Sequence, residues 1–117
     1  MSPETARDAL DRALAQTGQT VTLKRLTPET LAVEASVQLR AHVRDFSARE
    51  LEGMPSLQNG ASRVIIAARD LEGVEDWSGL PVKGDVLTIA GRERTVLYAW
   101  PGPYVGDTIV RIEMSVE

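Results

Sequence analysis

Hydrophobic residues are spaced in two ways along this chain, and the change of period divides it. Near the start, Ala6, Leu10, Ala13 and Leu14 recur at three- and four-residue intervals, which sets them on one helical face. Ser2, Pro3 and Glu4 predict an N-cap, a proline in the first turn and an acid where the helix dipole is positive. Gly18 marks the stop. Arg7 with Asp11, and Asp8 with Arg12, stand four apart and are expected to pair along the wet side. The apolar stripe is narrow and rich in alanine. It predicts a helix over residues 3–17 that packs through a thin seam on a sheet or a neighbouring subunit.

After Gly18 the period becomes two. Val21 and Leu23 mark a strand over residues 19–26, and a Thr-Pro-Glu-Thr turn follows. Residues 31–43 then alternate without a fault, with Leu31, Val33, Ala35, Val37, Leu39, Ala41 and Val43 expected to face inward. At about 3.3 Å per residue such a strand is longer than usual, so it must bend around something. A long, one-sided, curved strand is what a small barrel requires.

Residues 44–60 interrupt the alternation. Ser47 and Glu50 read as a capping box, Phe46 and Leu51 as its hydrophobic staple, and Gly53 as a stop. An open segment containing Met54, Leu57, Gln58 and Asn59 completes this insertion. Residues 61–68 form an apolar strand, residues 70–77 an acidic stretch with room for a helical turn, and residues 78–81 a loop. Residues 82–98 then read as a hairpin: a Lys-Gly-Asp turn, a strand, an Ala-Gly-Arg tip and a returning strand. Pro101, Gly102 and Pro103 turn the chain into a last strand with Val110, Ile112, Met114 and Val116 on one face. One helix followed by runs of antiparallel strands predicts a single, mainly β domain over residues 1–117. Its expected form is a small antiparallel barrel or sandwich, with the helix outside and a mid-chain loop insertion.

Composition narrows this picture. The chain has 117 residues, 43% of them hydrophobic but only 4% aromatic, so aliphatic side chains must build the core. Cysteine is absent, which excludes disulfides and thiolate metal sites. The first residues carry acids and no apolar run, unlike a signal peptide, and no apolar run reaches the ~20 residues of a membrane span. These features predict a soluble, intracellular chain. The net charge of −4 disfavours duplex DNA as a tight partner, because phosphate binding depends on Lys and Arg. All the basic residues except Lys24 and Lys83 are arginine, which a GC-rich bacterial genome would produce without any functional demand.

Chemistry is harder to find. His42 is the only histidine and falls on the polar side of the long strand, with no nucleophile assigned beside it. Asp70, Glu72, Glu75 and Asp76 cluster in sequence but follow no calcium-loop spacing. They read as a solvated acidic face or an interface patch. The Gly102–Gly106 stretch has no helix after it and two prolines around it, so it reads as a turn and not a phosphate cradle. Arg92 and Arg94 flank Glu93 at the hairpin tip and read as rim charges in a protein contact. Trp77 and Trp100 have two readings, as covers for the ends of a small barrel or, with Tyr104, as interface anchors. No catalytic, cofactor-binding or metal site is assigned, and no enzymatic activity, cofactor or small-molecule substrate is expected.

The order of these segments resembles the head–tail joining proteins of tailed bacteriophages and their relatives in prophages and gene transfer agents. The residues that carry the resemblance are the helix ending at Gly18, VTLKRLT, the long alternating strand, the insertion, KGDVLTIAGRERTV and YVGDTIVRIEMSV. The resemblance implies a structural virion protein: a small barrel that assembles as a six- or twelvefold ring between a portal-bound adaptor and the tail. DNA would pass through the ring transiently and without sequence preference. It would be assembled in the bacterial cytoplasm, with no membrane partner, and would end at the head–tail interface. In stopper-type members a loop helps to close the channel, and the matching segment here is 44–60, with Arg44, Phe46, Leu51, Met54, Leu57, Gln58 and Asn59. Arg92, Arg94, Trp77, Trp100 and Tyr104 would serve the ring and neighbour contacts. Two alternatives stay open: a tail-terminator or other minor virion protein, and a non-viral SH3-like protein-binding module.

Overall fold

The computed structural model describes residues 2–45, 49, 52, 61–74, 77, 79–102 and 104–117. Helix α1 spans Pro3–Thr17, and a short helix α2 spans Arg69–Glu72. The strands are β1 (Gln19–Leu26), β2 (Val33–Asp45), β3 (Ser62–Ala67), β4 (Val86–Ile89), β5 (Arg92–Pro101), β6 (Tyr104–Val105), β7 (Thr108–Ile109) and β8 (Arg111–Val116). Six of them close an antiparallel barrel in the order β1-β2-β3-β8-β5-β4, and β6 and β7 form a separate two-stranded hairpin. The mainly β barrel with an N-terminal helix is the architecture expected from the alternation. The small β6–β7 hairpin is an addition, since only a turn was expected between Pro101 and the last strand.

The barrel is filled by its alternating residues. Val21, Leu23, Leu39, Val64, Ile66, Leu87, Val96, Ile112, Met114 and Val116 are all buried. Each buried aliphatic of this kind contributes roughly 1.5–3 kcal/mol relative to its exposed state. Strand β2 begins at Val33, and the inward alternation starts only at Ala35. Leu31 and Val33, expected to face the core, are instead 69% and 56% exposed. They lie where β2 emerges from the turn, beyond the inward-facing run that begins at Ala35.

Helix α1 begins as expected, with the Ser2 hydroxyl accepting from Thr5 N–H at 3.2 Å. Its seam is thin: Leu14 is its one buried residue, and Ala13 is exposed. The pairs expected along the helix are replaced by bonds across to α2. Arg7 reaches Glu72 at 2.6 Å and the Ile109 carbonyl at 3.1 Å, while Asp8 and Asp11 both accept from Arg69. A folded neighbour outcompetes a weak i,i+4 pair. At the other end Arg40 donates to the carbonyls of Leu14, Ala15 and Gly18. Gly18 itself is required by close approach, since a Cβ there would lie 2.5 Å from the Leu14 oxygen and 2.8 Å from that of Ala41.

The hairpin at 82–98 forms as read. Ala90 and Gly91 both have positive φ, 50° and 81°, as a two-residue turn with the twist of the flanking strands demands.

Candidate functional site

The two tryptophans separate. Trp77 is 6% exposed and joins the core cluster with Ala68, Leu71 and Ile112. The Arg25 guanidinium stacks on it, 4.2 Å from the ring centroid, and is held by Asp85 through bonds of 3.0 and 3.2 Å. Arg25 also donates to the Leu80 carbonyl at 3.0 Å. Asp85, only 3% exposed, accepts a further bond from Val82 N–H at 2.8 Å. Together these residues cover the barrel near the start of β2. Trp77 thus follows the barrel-cover reading, and its ring has little surface left to offer a partner. The sequence marked Asp85 only as a turn residue and passed over Arg25. Arg25 continues the Val21–Leu23 alternation, and that was the available signal.

A second polar group lies near the far end of β2. Ser62, fully buried, donates to Asp45 at 2.7 Å, and Arg94 donates to the Ser62 hydroxyl at 3.1 Å. Arg94, expected as a rim charge in a protein contact, is turned toward this group, while Arg92 remains exposed at the hairpin tip.

Trp100 stands on the outer wall. Register across β2, β3, β8 and β5 lines up His42, Ile65, Glu113 and Trp100 in one row, and Arg44, Arg63, Ser115 and Tyr98 in the next. Because Ile112, Met114 and Val116 point inward, these rows face out. The wall has a built centre. Glu113 is 5% exposed and accepts from Trp100 Nε1 at 2.8 Å and from Arg63, with Arg111 at 3.6 Å. Burial by itself would raise the Glu113 carboxyl, but hydrogen bonds from Arg63 and Trp100 and the charges of Arg63 and Arg111 outweigh it. The carboxyl is held below its usual range. Two guanidiniums share this one carboxylate, so the cluster is net positive. Around it Tyr98 and Trp100 are 49% and 36% exposed. Strand β4 pairs with β5 only as far as Thr95, so β5 from Tyr98 onward is paired on its β8 side alone among the described residues. Such an edge invites a partner or needs protection. Tyr104 is exposed on β6.

A second apolar patch lies at the β1–β2 turn. Leu31, Val33 and Val82 are each more than half exposed, and Pro28, Leu31 and Val82 border a groove of about 360 Å³. Leu31 has φ of +57°. For a bulky side chain that conformation costs roughly 1–2 kcal/mol. It is held by Leu31 N–H donating to Thr27 and Thr27 N–H donating to Ala32, both at 2.8 Å.

Among the sites expected in the insertion, Arg44 lies at the exposed end of β2. Phe46, Leu51, Met54, Leu57, Gln58 and Asn59 fall outside the described residues, as does the capping box. His42 is half-buried beside Ile65. Among the described residues no group of three or more His, Asp or Glu side chains could hold a metal ion, and no helix is long and apolar enough to cross a membrane. No protein-family model matches the chain, and no curated protein matches it.

Proposed function

We propose that this chain is a structural virion protein that joins a capsid portal complex to a tail as one subunit of a ring around the DNA path. The observation that carries the reading is the aromatic outer wall: Tyr98 and Trp100 stand on the outer face of β5, where that strand is paired on its β8 side alone among the described residues. Large aromatics of this kind anchor protein contacts. The filled interior agrees with it, since a packed barrel leaves no bore and DNA would pass between subunits, not through one. The N-terminal helix, long strand and closing hairpin that carry the sequence resemblance all form in that order.

The test is loss of the gene in cells that produce particles. Filled heads and separate tails are expected by electron microscopy, and restoring the gene should rejoin them. Joined, infectious or transducing particles from the deletion strain would overturn the proposal. The isolated protein should also show no submicromolar, steeply salt-dependent affinity for duplex DNA.

A further inference from the structure

Helix α1 is attached differently at its two ends. At the C-terminal end Leu14 is buried, Arg40 donates to three carbonyls, and Gly18 lies too close to Ala41 for a side chain. In the first turns Ala6, Ala9 and Leu10 are only part-buried. Arginines tie this end down: Arg7 to Glu72 and the Ile109 carbonyl, and Arg69 to Asp8 and Asp11. Glu72 and Asp8 are each more than half exposed, so these pairs contribute little and are screened by salt. In Arg7 one nitrogen, Nη2, makes both bonds, and Nε is buried with no acceptor, which offsets part of what they contribute.

Both tethers end on α2, through Arg69 and Glu72. Glu72 on α2 and Ile109 on β7 are opposite acceptors of Arg7, and both line a cavity of about 390 Å³ shared with Leu71, Trp77, Leu80 and Ile112. We propose that the N-terminal half of α1 is a salt-sensitive strap, latched by Arg7 between α2 and β7, whose release opens this cavity beside Trp77. The anchored end at Leu14–Gly18 is the hinge. With the strap gone, α2 is a single turn held by Leu71 and is free to part from β7. The barrel stays closed, because its six strands pair only with one another. Opening of this kind costs less than global unfolding.

Trp100→Phe leaves Trp77 as the one tryptophan, so acrylamide quenching of the purified full-length chain reports the cavity. Adding Arg7→Ala is expected to raise the quenching constant about twofold. Sodium chloride at about 1 M, where screening acts within about 3 Å, should do the same to the chain that keeps Arg7 and add little to the variant. Hydrogen exchange over residues 3–10 should quicken about tenfold under either treatment, with β1, β3 and β8 as protected as before. Trp77 quenching unchanged by salt or by Arg7→Ala would overturn the strap. So would loss of barrel protection alongside that of α1, which would make the opening global. The strap needs no partner, so either result leaves the joining role to its own test.

Discussion

The barrel mouth at Trp77 and the outer wall at Trp100 are built from the same materials. Each sets an indole beside an arginine–carboxylate pair: Arg25 and Asp85 at the mouth, Arg63 and Glu113 on the wall. They differ in what remains uncovered. Trp77 is 6% exposed and Trp100 36%. At the mouth the Arg25 guanidinium stacks on the ring and Asp85 holds it there, so the cluster seals the core. On the wall the carboxylate lies within the sheet and the ring stands beside it facing solvent, so the cluster presents the indole. One arrangement holds the fold together, and the other fixes an aromatic in place for something to meet.

The contrast predicts where mutations should hurt. Trp77→Ala should cost the most, about 3–5 kcal/mol, because it opens a cavity over the core. Chemical denaturation would measure it, and a loss below 1 kcal/mol would place Trp77 outside the seal. Asp85→Ala should follow, at about 3 kcal/mol, since it leaves the Arg25 guanidinium half-buried without its main acceptor. Glu113→Gln should cost less, about 1–2 kcal/mol, and should also change the pH profile. A carboxyl held below its usual range contributes stability that is complete above the unfolded-state pKa and is lost as pH falls through the lowered folded-state value. The wild-type chain should therefore lose stability faster than the Glu113→Gln variant as acid is added below the ordinary glutamate range. Trp100→Phe should be smallest for the fold, about 1 kcal/mol for one hydrogen bond to a charged acceptor. Its effect on joined particles should be the larger one.

Period was enough to reveal the helix, the strands and the hairpin, because each rests on local spacing and on residues such as Ser2, Ala90 and Gly91 whose roles are local. It misjudged Leu31 and Val33, since alternation continues whether or not the strand does. It also missed the outer face of β8. Glu113 and Ser115 alternate as polar positions should, yet both are buried. What covers them comes from β3 and β5, distant in sequence. The partners of Arg25 and Arg94 were missed for the same reason, as they lie on other elements. The candidate site is an assembly of such long-range pairs, so little of it could be read before the register was known.

Tyr98 gives the most direct test, because it stands half exposed on the wall that carries the proposed contact while the fold asks little of it. Tyr98→Ser removes a half-exposed ring, so the variant should stay within about 1 kcal/mol of wild type in stability. It also removes an aromatic anchor whose burial in a contact would contribute about 2 kcal/mol, roughly thirtyfold in affinity. The decisive measurement is the fraction of joined particles when this variant complements the deletion strain, read beside its melting temperature. A melting temperature within about 5 °C of wild type, with joined particles largely lost, is the expected result. Wild-type numbers of joined particles from an equally stable Tyr98→Ser chain would contradict the role of the wall.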